Sequence, residues 1–250
     1  MASSSNQVQF RECYQNWMIQ QQELLEELIQ VYNQNSNDEQ ELCCVIHKLV
    51  EHYENYTDRR AQLAIDDAPC LFSPTWCTSI ENSYFWLGGC RPSLMIRLVY
   101  SLCGSQLESQ LTEFLQGVRK GNIGELSASQ LSLVSELQCR TVGEEEKLSK
   151  KMASLQENIA DYPLTRLANN SSDVSDTESH IEQVDHALDS HSKELASILV
   201  DSDKLRMNTL REVIGILTPF QAVDFLIAGK KLHLCMHQWG QRRDHRHGRT

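Results

Sequence analysis

Apolar residues recur at steps of three and four along most of this chain, while the strict alternation that marks a half-buried strand is almost absent. Phe10, Tyr14, Trp17, Leu24, Leu28 and Val31 trace one face of a helix, with Gln21 in the one polar place of the stripe. A polar break over 33–38 follows. Leu42, Val45, Ile46, Leu49, Val50, Tyr53 and Tyr56 then resume the stripe toward Leu63, which predicts a second helix antiparallel to the first. Pro69 and Pro74 interrupt helix over 68–78, whose Leu71, Phe72 and Trp76 predict a loop packed inward. A short helix over 79–87 is expected to stop at Gly88-Gly89. Pro92 suits the first turn of the next helix, which Gly104 punctuates ahead of another short one.

The stretch 117–124 reads as a turn-rich connector. Ser127-Ala128-Ser129-Gln130 has the wording of a capping box. It opens a long helix whose seam runs through Leu131, Val134, Leu137, Thr141, Leu148, Met152, Leu155 and Ile159, with Glu144, Glu145, Glu146, Lys147, Lys150 and Lys151 as its solvated face. The polar segment 163–177 is the expected mobile linker. Ile181, Val184, Leu188, His191, Leu195, Ile198 and Leu205 rebuild a narrow stripe, and Thr218-Pro219-Phe220-Gln221 announces a last helix running to Gly240. The fold class is all-α: a bundle of about seven to nine helices, with long antiparallel helices and short connecting ones.

Composition narrows the function. Thirty-four acidic residues against 23 basic ones give a net charge of −11, which disfavours nonspecific binding to nucleic acid or anionic lipid. Arg242, Arg243, Arg246 and Arg249 reverse the sign locally and read as a solvated terminus. No run of about 18 apolar residues lacks charge, so no membrane span is expected. The opening Met1-Ala2-Ser3-Ser4-Ser5 has neither the basic nor the apolar region of a secretory signal, which points to a reducing compartment. The nine cysteines include no Cys-x-x-Cys pair and suit neither a disulfide framework nor a zinc ribbon. Most are expected as small core residues.

Leu232-His233-Leu234-Cys235-Met236-His237 is the segment richest in chemistry. On a continuous helix His233 and His237 share a face, with Cβ atoms about 5–6 Å apart. They can chelate a transition metal side by side, or one can ligate a haem iron while the other hydrogen-bonds. Equally, they suit half-exposed positions whose cationic forms favour the C-terminal end of the helix dipole. His52, Tyr53 and Tyr56 read as core edge. With no Gly-x-Ser-x-Gly elbow, phosphate loop or His-Glu-x-x-His, no enzyme is expected.

The wording of one segment goes further. Trp86-Leu87-Gly88-Gly89-Cys90-Arg91-Pro92-Ser93, followed by Arg97-Leu98-Val99-Tyr100-Ser101-Leu102-Cys103-Gly104-Ser105-Gln106, resembles the signature of the plant Delay of Germination family. That domain also forms the C-terminal half of TGA-type bZIP transcription factors. The resemblance spans 10–240, from Tyr14-x-x-Trp17-Met18 through Glu144-Glu145-Glu146-Lys147 and Ser154-Leu155-Gln156-Glu157 to Ala228-Gly229-Lys230-Lys231-Leu232-His233 and Trp239-Gly240. It leaves 1–9 and 241–250 as expected flexible termini.

What it implies is a non-enzymatic regulator of seed dormancy and abscisic acid signalling, in nucleus and cytoplasm, that binds clade A protein phosphatases 2C and self-associates. It also implies haem ligation at His233 and His237, and partner contact at Tyr14 and Trp17. The family's phosphatase-contact motif reads Asp-Ser-Tyr-x-x-Trp, and here Glu12 and Cys13 replace its first two residues. The alternative implied by the TGA relatives is a transcription regulator associated with DNA. Those factors place a basic recognition helix before this domain. None is apparent here, so contact with DNA is expected through a bZIP partner instead of directly.

Overall fold

The computed structural model describes residues 2–34, 39–116, 126–161, 164–166 and 178–249. Eight α-helices account for most of them: α1 (Ala2–Asn33), α2 (Glu39–Asp67), α3 (Pro69–Phe72), α4 (Ser79–Tyr84), α5 (Ser93–Gln116), α6 (Ala128–Glu157), α7 (Glu178–Ile216) and α8 (Pro219–Arg246). This is the all-α multi-helix bundle that the periodicity predicts. The connector 117–124 and most of the linker 163–177 lie outside the described residues.

Four long helices make the frame. Glu27 pairs with Lys48, and Trp17 stacks on Tyr56, so α1 and α2 run antiparallel. Tyr32 stacks on Phe220, Lys230 bonds to Gln21 and Tyr14 meets His237, which sets α8 antiparallel to α1 along its length. Arg60 with Asp203, and Arg211 with Glu54, place α7 antiparallel to α2. Helix α6 lies along α7 through Arg140–Glu212 and Lys151–Asp201. The largest core cluster sits where the frame meets α5 and α6, and includes Leu28, Leu49, Ile96, Val99, Val134, Leu137, Val213 and Val223. Each such side chain stabilises the fold by about 1.5–3 kcal/mol through burial.

Capping chemistry fixes where α6 and α8 begin. Ser127 and Gln130 form the expected capping box, as do Thr218 and Gln221. The two boxes are joined, because the Gln130 amide donates to Gln221 Oε1 at 2.8 Å and to the Ile216 carbonyl at 2.9 Å.

The family-like segment 86–90 is a tight turn held by buried arginines. Leu87 and Gly88 both take positive φ, 47° and 74°, between paired backbone groups of Trp86 and Gly89. A Cβ at Gly88 would lie 2.7 Å from Leu199 Cδ1 and 3.2 Å from the Leu71 carbonyl, so glycine is required twice over. Arg206 donates to the carbonyls of Trp86, Leu87 and Cys90, and Arg60 donates to that of Gly88 at 2.6 Å. Asp203 joins both guanidinium groups, at 2.6 Å and 3.2 Å.

Several expectations need correction. Helix α1 begins at Ala2 instead of near 10, since nothing between 2 and 33 is Gly or Pro. Helix α8 runs on past Gly240 to Arg246, because Asp244 docks back on α4 by accepting from the Ser79 amide at 2.8 Å. Gly104 does not end α5, which passes straight through it; a helical glycine costs only about 1 kcal/mol. Glu145 is not part of a solvated face. It is fully buried, and its carboxylate accepts from Arg91 and from the Ser93 amide, both at 2.6 Å, capping the start of α5. Among the cysteines only Cys103 is buried, while Cys43, Cys44, Cys90 and Cys139 are exposed.

Candidate functional site

Tyr14, Trp17, His233 and His237 come together where α1, α4 and α8 meet. The centre of the site is a residue that the sequence reading passed over. Glu81 is buried in α4, and its carboxylate collects donors from three elements. Oε1 accepts from the Tyr14 hydroxyl of α1 at 3.0 Å, and Oε2 accepts from the Thr78 amide and hydroxyl at 2.8 and 2.7 Å. His237 Nδ1 of α8 lies 3.0 Å from both oxygens. The Tyr14 hydroxyl and His237 Nδ1 are 3.4 Å apart, two donors converging on one acceptor. The signal for Glu81 was present in the sequence: Thr78-x-x-Glu81 is a capping-box pattern, and both of its reciprocal bonds form.

Burial works against charge on Glu81, but the hydrogen bonds from His237 and Thr78 outweigh it and hold the carboxyl down at about 2. Tyr14 is pushed the other way, chiefly by burial and then by the neighbouring Cys77 and Glu81, so its phenol stays protonated. With Nδ1 directed at Glu81, His237 presents its other ring nitrogen outward, and Nε2 lies 2.9 Å from the Gln241 amide nitrogen. Carboxylates orient metal-ligating histidines in this way. Close packing of helices makes the geometry possible. A Cβ at Gly240 would stand 2.7 Å from Thr78 Cβ, so only glycine lets α8 approach the cap of α4.

His233 lies one turn back on α8. Its ring centroid is 5.0 Å from that of Trp17, which also stacks on Tyr56 at 4.4 Å with planes 14° apart. Burial, only partly offset by Glu81, pushes the His233 pKa down to about 4, so the imidazole is neutral at pH 7. Lys230, a further turn back, is 2% exposed, donates to Gln21 Oε1 and sits 5.2 Å from the Tyr53 ring centroid. Burial pushes its pKa down to about 7. The Trp17 and Gln21 side-chain nitrogens and His52 Nε2 are buried without a hydrogen-bond partner among the described residues. Among the described residues no group of three or more His, Cys, Asp or Glu side chains converges as a metal site. No helix there is long and apolar enough to cross a membrane.

Fold and site together define an all-helical domain with a buried polar seam. A family model described as seed dormancy control matches residues 22–101. Protein DOG1-like 1 of Arabidopsis thaliana is 39% identical over 94% of this chain and 90% of its own length, and Protein DOG1-like 3 is 36% identical over 93% and 84%. The chain belongs to the DOG1-like family, the Delay of Germination family that its motifs resemble. The Arabidopsis transcription factor TGA2 is also similar, 27% identical over 86% of this chain and 58% of that factor.

Proposed function

We propose that this protein is a non-enzymatic regulator of seed dormancy and abscisic acid signalling that acts by binding protein partners, with haem as a ligand of α8. Similarity to DOG1-like proteins over more than nine-tenths of the chain carries the reading. Partners of the protein phosphatase 2C class dock on α1, and self-association provides a second mode. Glu12, Gln15 and Asn16 give α1 an exposed face around the Tyr14–Trp17 motif, while Tyr14 and Trp17 hold that face in place from beneath. A pull-down with a clade A plant phosphatase tests this: the natural chain retains it, and a Gln15→Arg, Asn16→Arg variant does not. Equal retention by both removes α1 as the docking surface.

In this reading His237 would hold the haem iron, with His233 as its neutral neighbour. The donor set would suit haem better than a bare ion, because the site offers one oriented imidazole and, among the described residues, no group of three or more ligating side chains. Glu81 fixes the His237 tautomer, and Gln241 yields Nε2 to the ligand. Haem would supply an iron centre open to redox change or a further ligand. Titrated with haem, the natural chain develops a Soret band that His237→Ala abolishes and His233→Ala retains. An unchanged band in His237→Ala overturns the assignment.

Similarity to TGA2 supports a second reading, a nuclear and cytoplasmic transcription regulator recruited to DNA by a bZIP partner. In a mobility-shift salt series the isolated chain then gives no specific shift without that partner.

A further inference from the structure

A groove of about 280 Å3 runs between α1 and α2, and neither His233 nor His237 lines it. It borders the face proposed for partner docking, sharing Glu12, Asn16 and Trp17 with it, but a small-molecule site there does not depend on that reading. Trp17 and His52 line it, and each carries a buried ring nitrogen with no hydrogen-bond partner among the described residues. An unmet buried donor costs about 1–3 kcal/mol, so two beside one cavity mark a place where something outside the fold completes the bonding. The indole nitrogen only donates, and the occupant must therefore accept. Burial, with Lys230 nearby, pushes the His52 pKa down, so its ring is neutral and free to present Nε2–H.

The remaining lining residues define the rest of the occupant. Arg59 is exposed at the groove, where its guanidinium donates to Gln62 Oε1 at 3.3 Å, and Asn16 and Asn55 add amide donors. Tyr56 and Cys13 supply an apolar wall. The volume falls at the small end for ligand pockets, room for one ring and its acid group. Glu12 lies on the facing helix and opposes a negative ligand.

We propose that the α1–α2 groove binds a small organic carboxylate with a flat apolar body, its oxygens accepting from Trp17, His52 and Arg59. Benzoate is the probe, and the uncharged benzamide its control. The chain has four tryptophans, so the Trp17 indole N–H signal can be assigned in a two-dimensional nitrogen–proton spectrum from its loss in Trp17→Phe. Benzoate shifts that signal saturably, with a dissociation constant of the order of 1 mM. Arg59→Gln weakens binding about fivefold, and Glu12→Gln tightens it about threefold. Both residues are exposed, so neither change threatens the fold. A Trp17 signal unmoved by benzoate, benzamide binding as tightly as benzoate, or a constant unchanged in both variants overturns the proposal.

Discussion

Glu81 shows how one carboxylate can organise a site. Replacing it with Gln keeps the shape but removes the charge that His237, Tyr14 and Thr78 all address. Breaking a buried charged network from one side costs roughly 3 kcal/mol, which urea unfolding at pH 7 should register. Its contribution is present above its ordinary pKa of 4.5 and fades as pH falls toward 2. His233 acts in a different window. The unfolded chain takes up a proton near 6.5 and the folded chain only near 4, so acidification across that range favours unfolding. Between pH 7 and 4 the natural chain should lose roughly 3 kcal/mol more than His233→Phe, measured by unfolding at each pH. Tyr14, Trp17 and both histidines were legible as one stripe and one pair. Lys230 was not, because its stripe position looks like any charged helix residue, and only α1 packed over it makes it a buried amine.

At the scale of elements, capping boxes and apolar steps predicted the starts of α6 and α8 well, since both signals are local. The error over Glu145 has a physical source. Its neighbours Glu144, Glu146 and Lys147 are exposed, and only the arrival of α5 at that one position turns a surface acid into a helix cap. Leu131, Ile159, Ile181 and Leu188 are exposed for the converse reason, lying on seams that no neighbouring described element covers fully. The approach of α8 to α4 yields a prediction of the same kind. Gly240→Ala forces Thr78 and α8 apart and should cost about 1–3 kcal/mol, read as a lowered thermal midpoint. Because Thr78 caps α4 through Glu81, the same change should also weaken the Soret band of a haem-loaded sample.

Across the whole molecule, burial is uneven. Fully buried residues are spread over α1, α2, α5, α6, α8 and the second half of α7, whereas 181–197 of α7 buries only Ala187. Amide hydrogen exchange should therefore be slowest in α2 and in α7 after Ile198, and much faster over 181–190. Uniform protection along α7 would contradict this picture.

The contacts between α1 and α8 also bear on biosynthesis. Lys230 and Gln21 are 209 residues apart, and Tyr14 and His237 are 223 apart. At about 5–20 residues per second, a nascent α1 waits roughly 10–40 s on the ribosome before its partner helix is made. During that interval Trp17 and Gln21 have only α2 beside them. Chaperones that hold amphipathic helices should engage this chain early and release it only when α8 has emerged.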